Sequence, residues 1–332
     1  MAANRLLQHY VDNARRLPWR AMPGEAAPDP YRVWLSEVML QQTTVAAVAP
    51  RFQRFVERWP TVEALAAAPD EDILSEWAGL GYYARARNLI ACAREVAARE
   101  SFPSTEAELR TLPGIGDYTA AAIAAIAFGR RALVMDTNVE RIVARLHGID
   151  TPVVECRPKL RALLDEMTPA DRAGDFAQAM MDLGATICRP KSPDCLACPL
   201  QSGCAAFTSG EPERFPAPKR TKARPVRYGI AYWIERNRGV WLVRRAAKGM
   251  LGGMAALPGP EWGDAPLPAT PVIGRVTHVF THFRLELAVV LATGAEGEGW
   301  WQPLDRLDTA GLPTLYRRAA EAVLSARSAL AA

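Results

Sequence analysis

The sequence predicts a multi-domain chain: an all-α domain over residues 1–208, a basic proline-rich linker over 209–226, and an α+β domain over 227–332. Three observations carry this. Apolar residues recur at helical spacing through the first part. Four prolines (212, 216, 218 and 225) amid dense charge then break the pattern. Beyond them come runs of β-branched and aromatic residues separated by turn formers. With 332 residues, 49% of them hydrophobic and 23% charged, the chain can bury real cores, which excludes disordered, collagen-like and disulfide-stapled classes. No apolar run reaches the ~18 residues of a membrane span. The opening stretch MAANRLLQHYVDNARRLPW is cut by charges before a signal-like segment forms. The expectation is a cytoplasmic protein with no membrane partner.

Asp29 and Pro30 suit the N-cap and first position of a helix running to about Val48, with Trp34, Val38, Val45 and Leu35, Met39, Gln42 at helical spacing. Thr61, Ser104 and Asp117 are further helix starts, Thr105-x-x-Glu108 is a capping box, and Gly129 and Gly148 are stops. In the second domain Tyr228–Glu235, Val240–Arg244 and Thr277–Leu291 read as strands, with Asn237-Arg238-Gly239 as a turn, and a helix from about Thr314 to Ala329 closes the chain.

The formal charge of +4 lies in Glu211–Arg227, where six Lys and Arg face two Glu; the remainder is balanced. Such a segment is either a solvated linker or a strap across an anion such as DNA. Four of the six cysteines form Cys188-x6-Cys195-x2-Cys198-x5-Cys204. Clustered thiols in a reducing compartment imply a metal centre rather than disulfides. One short loop carrying all four ligands suits an iron–sulfur cube; zinc, which favours two separated knuckles, is the competitor. Cys92 and Cys156 read as buried thiols, and the four histidines are too scattered for a metal site.

The stretch Leu112-Pro113-Gly114-Ile115-Gly116-Asp117-Tyr118 joins two helices. Its glycines allow close backbone approach, and the free N–H groups opening the next helix favour an anion such as a phosphate, although an ordinary tight turn has the same composition. Glu37 shares a helix face with Trp34, Leu40, Gln41 and Thr44. Among apolar neighbours its pKa should rise, making it a proton donor near neutral pH; on the surface it would be an ordinary solvated glutamate. Asp136 precedes a helix and is first a cap candidate, with Thr137-x-x-Glu140 as the alternative cap that would free it for a ligand. One protonated and one ionised carboxylate are what cleavage of a glycosidic C–N bond needs.

The motifs Pro30–Thr43 (PYRVWLSEVMLQQT), Gly79–Arg87 (GLGYYARAR), the hairpin, Met135-Asp136-Thr137-Asn138-Val139 and the four-cysteine loop occur in an order that resembles the adenine DNA glycosylases, the MutY family of the helix–hairpin–helix superfamily that includes endonuclease III. The resemblance covers nearly the whole chain. It implies a helix–hairpin–helix over 104–129, a [4Fe-4S] cluster on the 188–204 loop, and excision of adenine opposite 8-oxoguanine or guanine in double-stranded DNA by a monomer. By the same resemblance Glu37 protonates the flipped base at N7. Asp136 supports or attacks the sugar cation, Asn138 positions the site and Tyr118 sits at the sugar. Trp19, Arg20, Leu40 and Gln178 line the adenine pocket. Gln42 and Tyr82 wedge into the stack with Thr43 beside the 8-oxoguanine, and Gly114 and Gly116 meet phosphate. Flipping is required because the bond is unreachable inside a duplex. Tyr118 stands where strand-cleaving relatives carry lysine, which implies a monofunctional enzyme without efficient lyase activity. The C-terminal domain resembles the family's MutT-like (Nudix-fold) domain without its glutamate-rich hydrolase signature, so it is expected to recognise rather than hydrolyse. Phe280, Thr281 and His282 match the loop that reads 8-oxoguanine, with Thr281 where serine is more usual. The stretch Ala21–Asp29 is longer than usual and could re-aim Arg20. Arg85 and Arg87 are open between phosphate contacts and solvated charges.

Overall fold

The computed structural model describes residues 2–218, 224–246, 249–266, 271–280 and 282–331. Thr281, and Lys219, Arg220 and Lys222 of the basic segment, lie outside the described residues. The chain divides into two compact units, Met1–Arg220 and Thr221–Ala332.

The first unit is all-α: α1 (Ala2–Asn13), α2 (Pro30–Leu40), α3 (Val45–Arg58), α4 (Val62–Ala67), α5 (Asp70–Glu76), α6 (Ala84–Ala98), α7 (Glu106–Leu109), α8 (Asp117–Ile126), α9 (Thr137–Leu146), α10 (Val153–Met167), α11 (Ala173–Thr186) and α12 (Ala205–Thr208). Helix α2 begins as expected, with Asp29 Oδ1 accepting from the Tyr31 amide at 2.8 Å and proline at its first position. It ends at Leu40 rather than near Val48. Gln42 turns left-handed (φ 56°), and Thr44 caps a separate α3 by accepting from Ala47 N at 3.3 Å. Polar Gln-Gln-Thr-Thr offers a stronger local alternative, a cap, than continuing the helix. Thr105 rather than Ser104 caps α7: its Oγ1 accepts from the Glu108 amide at 3.3 Å and donates to Glu108 Oε2 at 2.7 Å.

Helices α2 and α8 are buried on almost every face and pack on each other. Trp34, Leu35 and Met39 are fully enclosed, each contributing about 1.5–3 kcal/mol by burial. A second core joins α1, α9, α10 and α11. There Gly184 is required by contact: a Cβ on it would stand 2.5 Å from Asn138 Cβ. The first part of the expected linker packs on this unit. Phe215 is buried and its carbonyl accepts from Arg145 Nε at 3.1 Å.

The second unit is α+β. Strands β1 (Val226–Trp233), β2 (Glu235–Arg236), β3 (Gly239–Arg244), β4 (Ala255–Ala256), β5 (Gly274–Val279), β6 (Arg284–Leu291) and β7 (Trp300–Pro303) precede α13 (Thr314–Ala331). They form one sheet in the order β1-β6-β5, with β1 parallel and β5 antiparallel to β6, and a second in the order β2-β3-β4 with β7 also on β3. Asn237 and Arg238 are left-handed (φ 49° and 59°), the geometry of a two-residue hairpin turn. The expected single strand 277–291 is a hairpin whose tip contains Phe280 and His282. Trp233, Leu285, Leu287, Val289 and the α13 residues Tyr316, Ala319 and Val323 share the core.

Candidate active site and cysteine loop

A cavity of about 760 Å³ opens in the helical unit, bordered by α2, α8, the start of α9, α11 and the segment after α1. Trp19, Arg20, Glu37, Leu40, Gln42, Tyr118, Asp136, Asn138 and Gln178 all line it. Nine residues spread over some 160 positions thus converge on one pocket.

Glu37 reaches this pocket from the second turn of α2 and is only 6% exposed. Burial pushes its pKa up to about 7, a hydrogen bond from Tyr118 and the Arg20 guanidinium pull it back, and the charge of Asp136 adds to the rise. The Tyr118 hydroxyl, at the start of α8, also reaches Met181 Sδ at 3.4 Å, and burial raises its pKa far beyond the usual phenol. Asp136 does serve as the α9 cap: Oδ1 accepts from the Val139 amide at 2.8 Å. The alternative box does not form, because Glu140 pairs with Arg157 at 2.8 Å. Capping occupies one oxygen only. Oδ2 accepts from Asn138 Nδ2 at 2.9 Å, and the carboxylate meets the positive end of the helix dipole.

Sequence reasoning missed two pocket supports. Arg141, one turn beyond Asn138, donates to Asn138 Oδ1 at 2.9 Å and to the carbonyls of Gly184 at 2.8 Å and Cys188 at 2.9 Å. Asp182 of α11 binds Arg20 at 2.7 Å and Arg15 at 2.6 Å. The Asp182 signal was present at helical i, i+4 spacing from Gln178, but its partners lie far away in sequence. Arg20 is aimed into the pocket despite the long Ala21–Asp29 loop.

Around the mouth, Gln42 and Tyr82 both take left-handed backbone (φ 56° and 48°), and Tyr82 is 57% exposed. Thr43 accepts from Arg85 at 3.0 Å. Arg85 is neither a phosphate ligand nor a solvated charge. Its guanidinium donates to the carbonyls of Val38, Met39 and Leu80 at 3.1, 2.9 and 2.9 Å and lies against the Trp77 and Tyr82 rings. It satisfies the open C-terminus of α2. R85A is therefore expected to cost about 2–4 kcal/mol of folding stability, read by urea denaturation. Arg87 is exposed. In the hairpin, Gly114 is left-handed (φ 75°), and a Cβ there would meet Asn88 Cβ at 2.7 Å. Gly116 opens α8 without a side-chain cap, leaving first-turn amides for an outside acceptor.

Cys188, Cys195, Cys198 and Cys204 line a common pocket with Arg145, and all are free thiols. Arg145 is 2% exposed and donates to Cys188 Sγ at 3.4 Å and to the carbonyls of Arg189 at 2.7 Å and Pro190 at 3.0 Å. Among the described residues no three metal-ligating side chains stand close enough to grasp a single ion. Cys92 and Cys156 are buried, as expected.

In the second unit, Phe280 packs against Trp262, Phe283 and His278, at centroid distances of 5.5, 4.9 and 4.6 Å. His282 is exposed at the hairpin tip. No helix among the described residues is long and apolar enough to cross a membrane.

Residues 35–166 match the HhH-GPD superfamily base excision DNA repair proteins, and residues 230–322 match the NUDIX domain. An adenine DNA glycosylase of Arabidopsis thaliana is 34% identical over 87% of this chain, which spans 57% of that relative's length. One of Buchnera aphidicola is 36% identical over 69% of this chain and 68% of its own. Among solved structures, a thermostable thymine-DNA glycosylase is 27% identical with a TM-score of 0.55, covering 62% of this chain and 95% of that one. Pocket, hairpin and thiol loop therefore come together with sequence likeness over both units, and the chain belongs to the adenine DNA glycosylase family.

Proposed function

We propose that this protein is a monofunctional adenine DNA glycosylase of base excision repair, acting on adenine opposite 8-oxoguanine or guanine in double-stranded DNA. The observation that carries the reading is a buried carboxyl, Glu37, whose pKa lies near 7 in a cavity that also presents Asp136. Trp19, Arg20, Leu40 and Gln178 surround the extruded base. Glu37 gives its proton to adenine N7, and the C1′–N9 bond breaks with its electron pair leaving on the purine. Asp136, held by the α9 amide and Asn138, supports the positive charge on the sugar until water adds to C1′. Tyr118 closes the sugar side. Gln42 and Tyr82 fill the gap in the stack with Thr43 beside the opposing base, and the Gly114–Gly116 turn binds phosphate. Phe280, Thr281 and His282 read the 8-oxoguanine; Phe280 is anchored by its aromatic neighbours and His282 is free to reach outward.

The test is adenine release from duplexes carrying A opposite 8-oxoguanine, A opposite G, and T opposite G. Release from the first two and not the third supports the reading; thymine release overturns it in favour of a thymine-mismatch glycosylase. The thymine-DNA glycosylase likeness covers 62% of the chain, which leaves the second unit as a feature of the adenine reading. Monofunctionality is supported by the pocket lining, which contains no lysine among the described residues, so no amine is placed to form a Schiff base. Borohydride is expected to trap far less of this protein on substrate DNA than of a lysine-bearing glycosylase such as endonuclease III, and equal trapping would overturn the reading.

The donor set fits a [4Fe-4S] cluster: four soft cysteine sulfurs from one short loop line a common pocket, one for each iron, with the Arg145 guanidinium donating to Cys188 Sγ. Such a cluster supplies a rigid cross-link and a capacity for electron transfer. Purified protein is expected to be brown, with a broad absorbance near 400 nm and about four irons per chain. A colourless protein containing zinc would contradict the assignment. The protein is expected to act as a cytoplasmic, nucleoid-associated monomer, which sedimentation with and without duplex DNA checks.

A further inference from the structure

Arg20 poses a problem for an acid that must stay protonated, because a guanidinium beside a carboxyl favours the anion. The structure contains an answer on the neighbouring helix. Arg20 Nη1 donates to Asp182 Oδ2 at 2.7 Å, and Arg15 Nε donates to Asp182 Oδ1 at 2.6 Å. The Arg15 amide adds a third bond to Oδ2 at 3.2 Å. The side chains of Arg20 and Asp182 are only 6% and 10% exposed, so neither charge is screened by water. Asp182 stands one helical turn from Gln178, which lines the same cavity.

We propose that Asp182 is a positioning residue for base release: it aims Arg20 into the pocket and offsets its charge, so that Arg20 can contact the base beside Glu37 without drawing off the acid's proton. This rests on the reading of Glu37 as the acid. The charged and titratable groups acting on the pair come from every side. They are Tyr118 from α8, Asp136 from the α9 cap, Asp182 from α11, and Tyr10 and Arg15 from α1 and the segment after it. Arg20 is the cation that acts on Glu37 itself, and a paired guanidinium pulls less than a bare one. Asp182 thereby lets one residue serve two demands, a donor for the purine and a tolerable neighbour for a neutral carboxyl. Removing the Asp182 charge while keeping its shape leaves Arg20 uncompensated, and Glu37 then ionises at lower pH.

The experiment is single-turnover adenine release from an A opposite 8-oxoguanine duplex between pH 5.5 and 9, for wild type, D182N, R20Q and D182N/R20Q. The alkaline limb in D182N is expected to move about one pH unit toward acid, about a tenfold loss at pH 8, with a smaller loss at pH 5.5. The double variant should recover the limb, because the uncompensated cation is gone. A purely structural role for Asp182 would lower the rate equally at every pH, and that result overturns the proposal. The Glu37 carboxyl titration, followed by ¹³C NMR in the same four proteins without DNA, gives a readout independent of turnover. A wild type that releases no base refutes the functional reading, while this titration still decides the role of Asp182. Should D182N not fold, D182S, which also removes the charge, takes its place in the same titration: a downward shift in the Glu37 midpoint supports the proposal, and an unchanged midpoint contradicts it.

Discussion

E37Q is expected to lower single-turnover adenine release by about 10²–10⁴-fold, the range that loss of a general acid commands, while binding to the mispaired duplex stays within a few-fold of wild type. Glutamine preserves the shape of a buried side chain that lines the cavity with Leu40 and Tyr118 and can still accept from Tyr118, but it has no proton to give. The two readouts, base release in a quench assay and binding by fluorescence anisotropy, separate chemistry from recognition. A variant that binds and cleaves like wild type would remove Glu37 from the mechanism. Loss of binding together with cleavage would instead give Glu37 a packing role. D136N should be comparably damaging to chemistry; asparagine keeps the helix cap, but its amide can no longer accept from Asn138 through a second oxygen, so it is the less clean probe.

The second large effect concerns stability. The Glu37 pKa rises from 4.5 to about 7 on folding, chiefly through burial. The folded state therefore binds this proton more tightly than the unfolded chain. The contribution is fully present below pH 4.5, declines as pH rises toward 7, and is gone above it. Integrated over that window, the protein loses about 3 kcal/mol relative to a variant with no titrating group at this position. E37Q should therefore gain on wild type as pH rises, with the difference in unfolding free energy growing by about 3 kcal/mol between pH 4.5 and 7.5. Urea denaturation of both proteins across that range measures it. A pH-independent difference would mean that Glu37 is ionised in the native state. The site thus carries a native-state cost for holding a proton donor at neutral pH, the stability–function conflict expected where a polar group is buried for chemistry.

Much of the fold was legible because local chemistry and tertiary demand agree. Asp29-Pro30, Thr61 and the Thr105–Glu108 pair start helices where their side chains suggest, and Asn237-Arg238-Gly239 makes its hairpin. The break after Leu40 was not, because a periodic apolar stripe continues across Gln41–Thr44 and only the cap chemistry of Thr44 opposes it. The carboxylates could be proposed from residue type and neighbours, since one helix supplies the environment of Glu37. Its supports could not. Asp182 meets Arg15 and Arg20 across more than 160 residues of chain, and Arg141 links Asn138 to a carbonyl on the thiol loop. Hydrogen bonds of that kind leave no periodicity in a sequence. Arg85 illustrates the reverse case: beside an exposed glycine-rich turn it looks available, yet the carbonyls it satisfies are visible only once α2 has been seen to stop.

The central claim is that the carboxyl at position 37 keeps its proton up to neutral pH, where it titrates in the free protein. Its ¹³C-carboxyl chemical shift, assigned by comparison with E37Q and followed from pH 4 to 9, tests it most directly. The account predicts a single transition with a midpoint near 7. A midpoint near 4.5, the value of an ordinary glutamate, would contradict it.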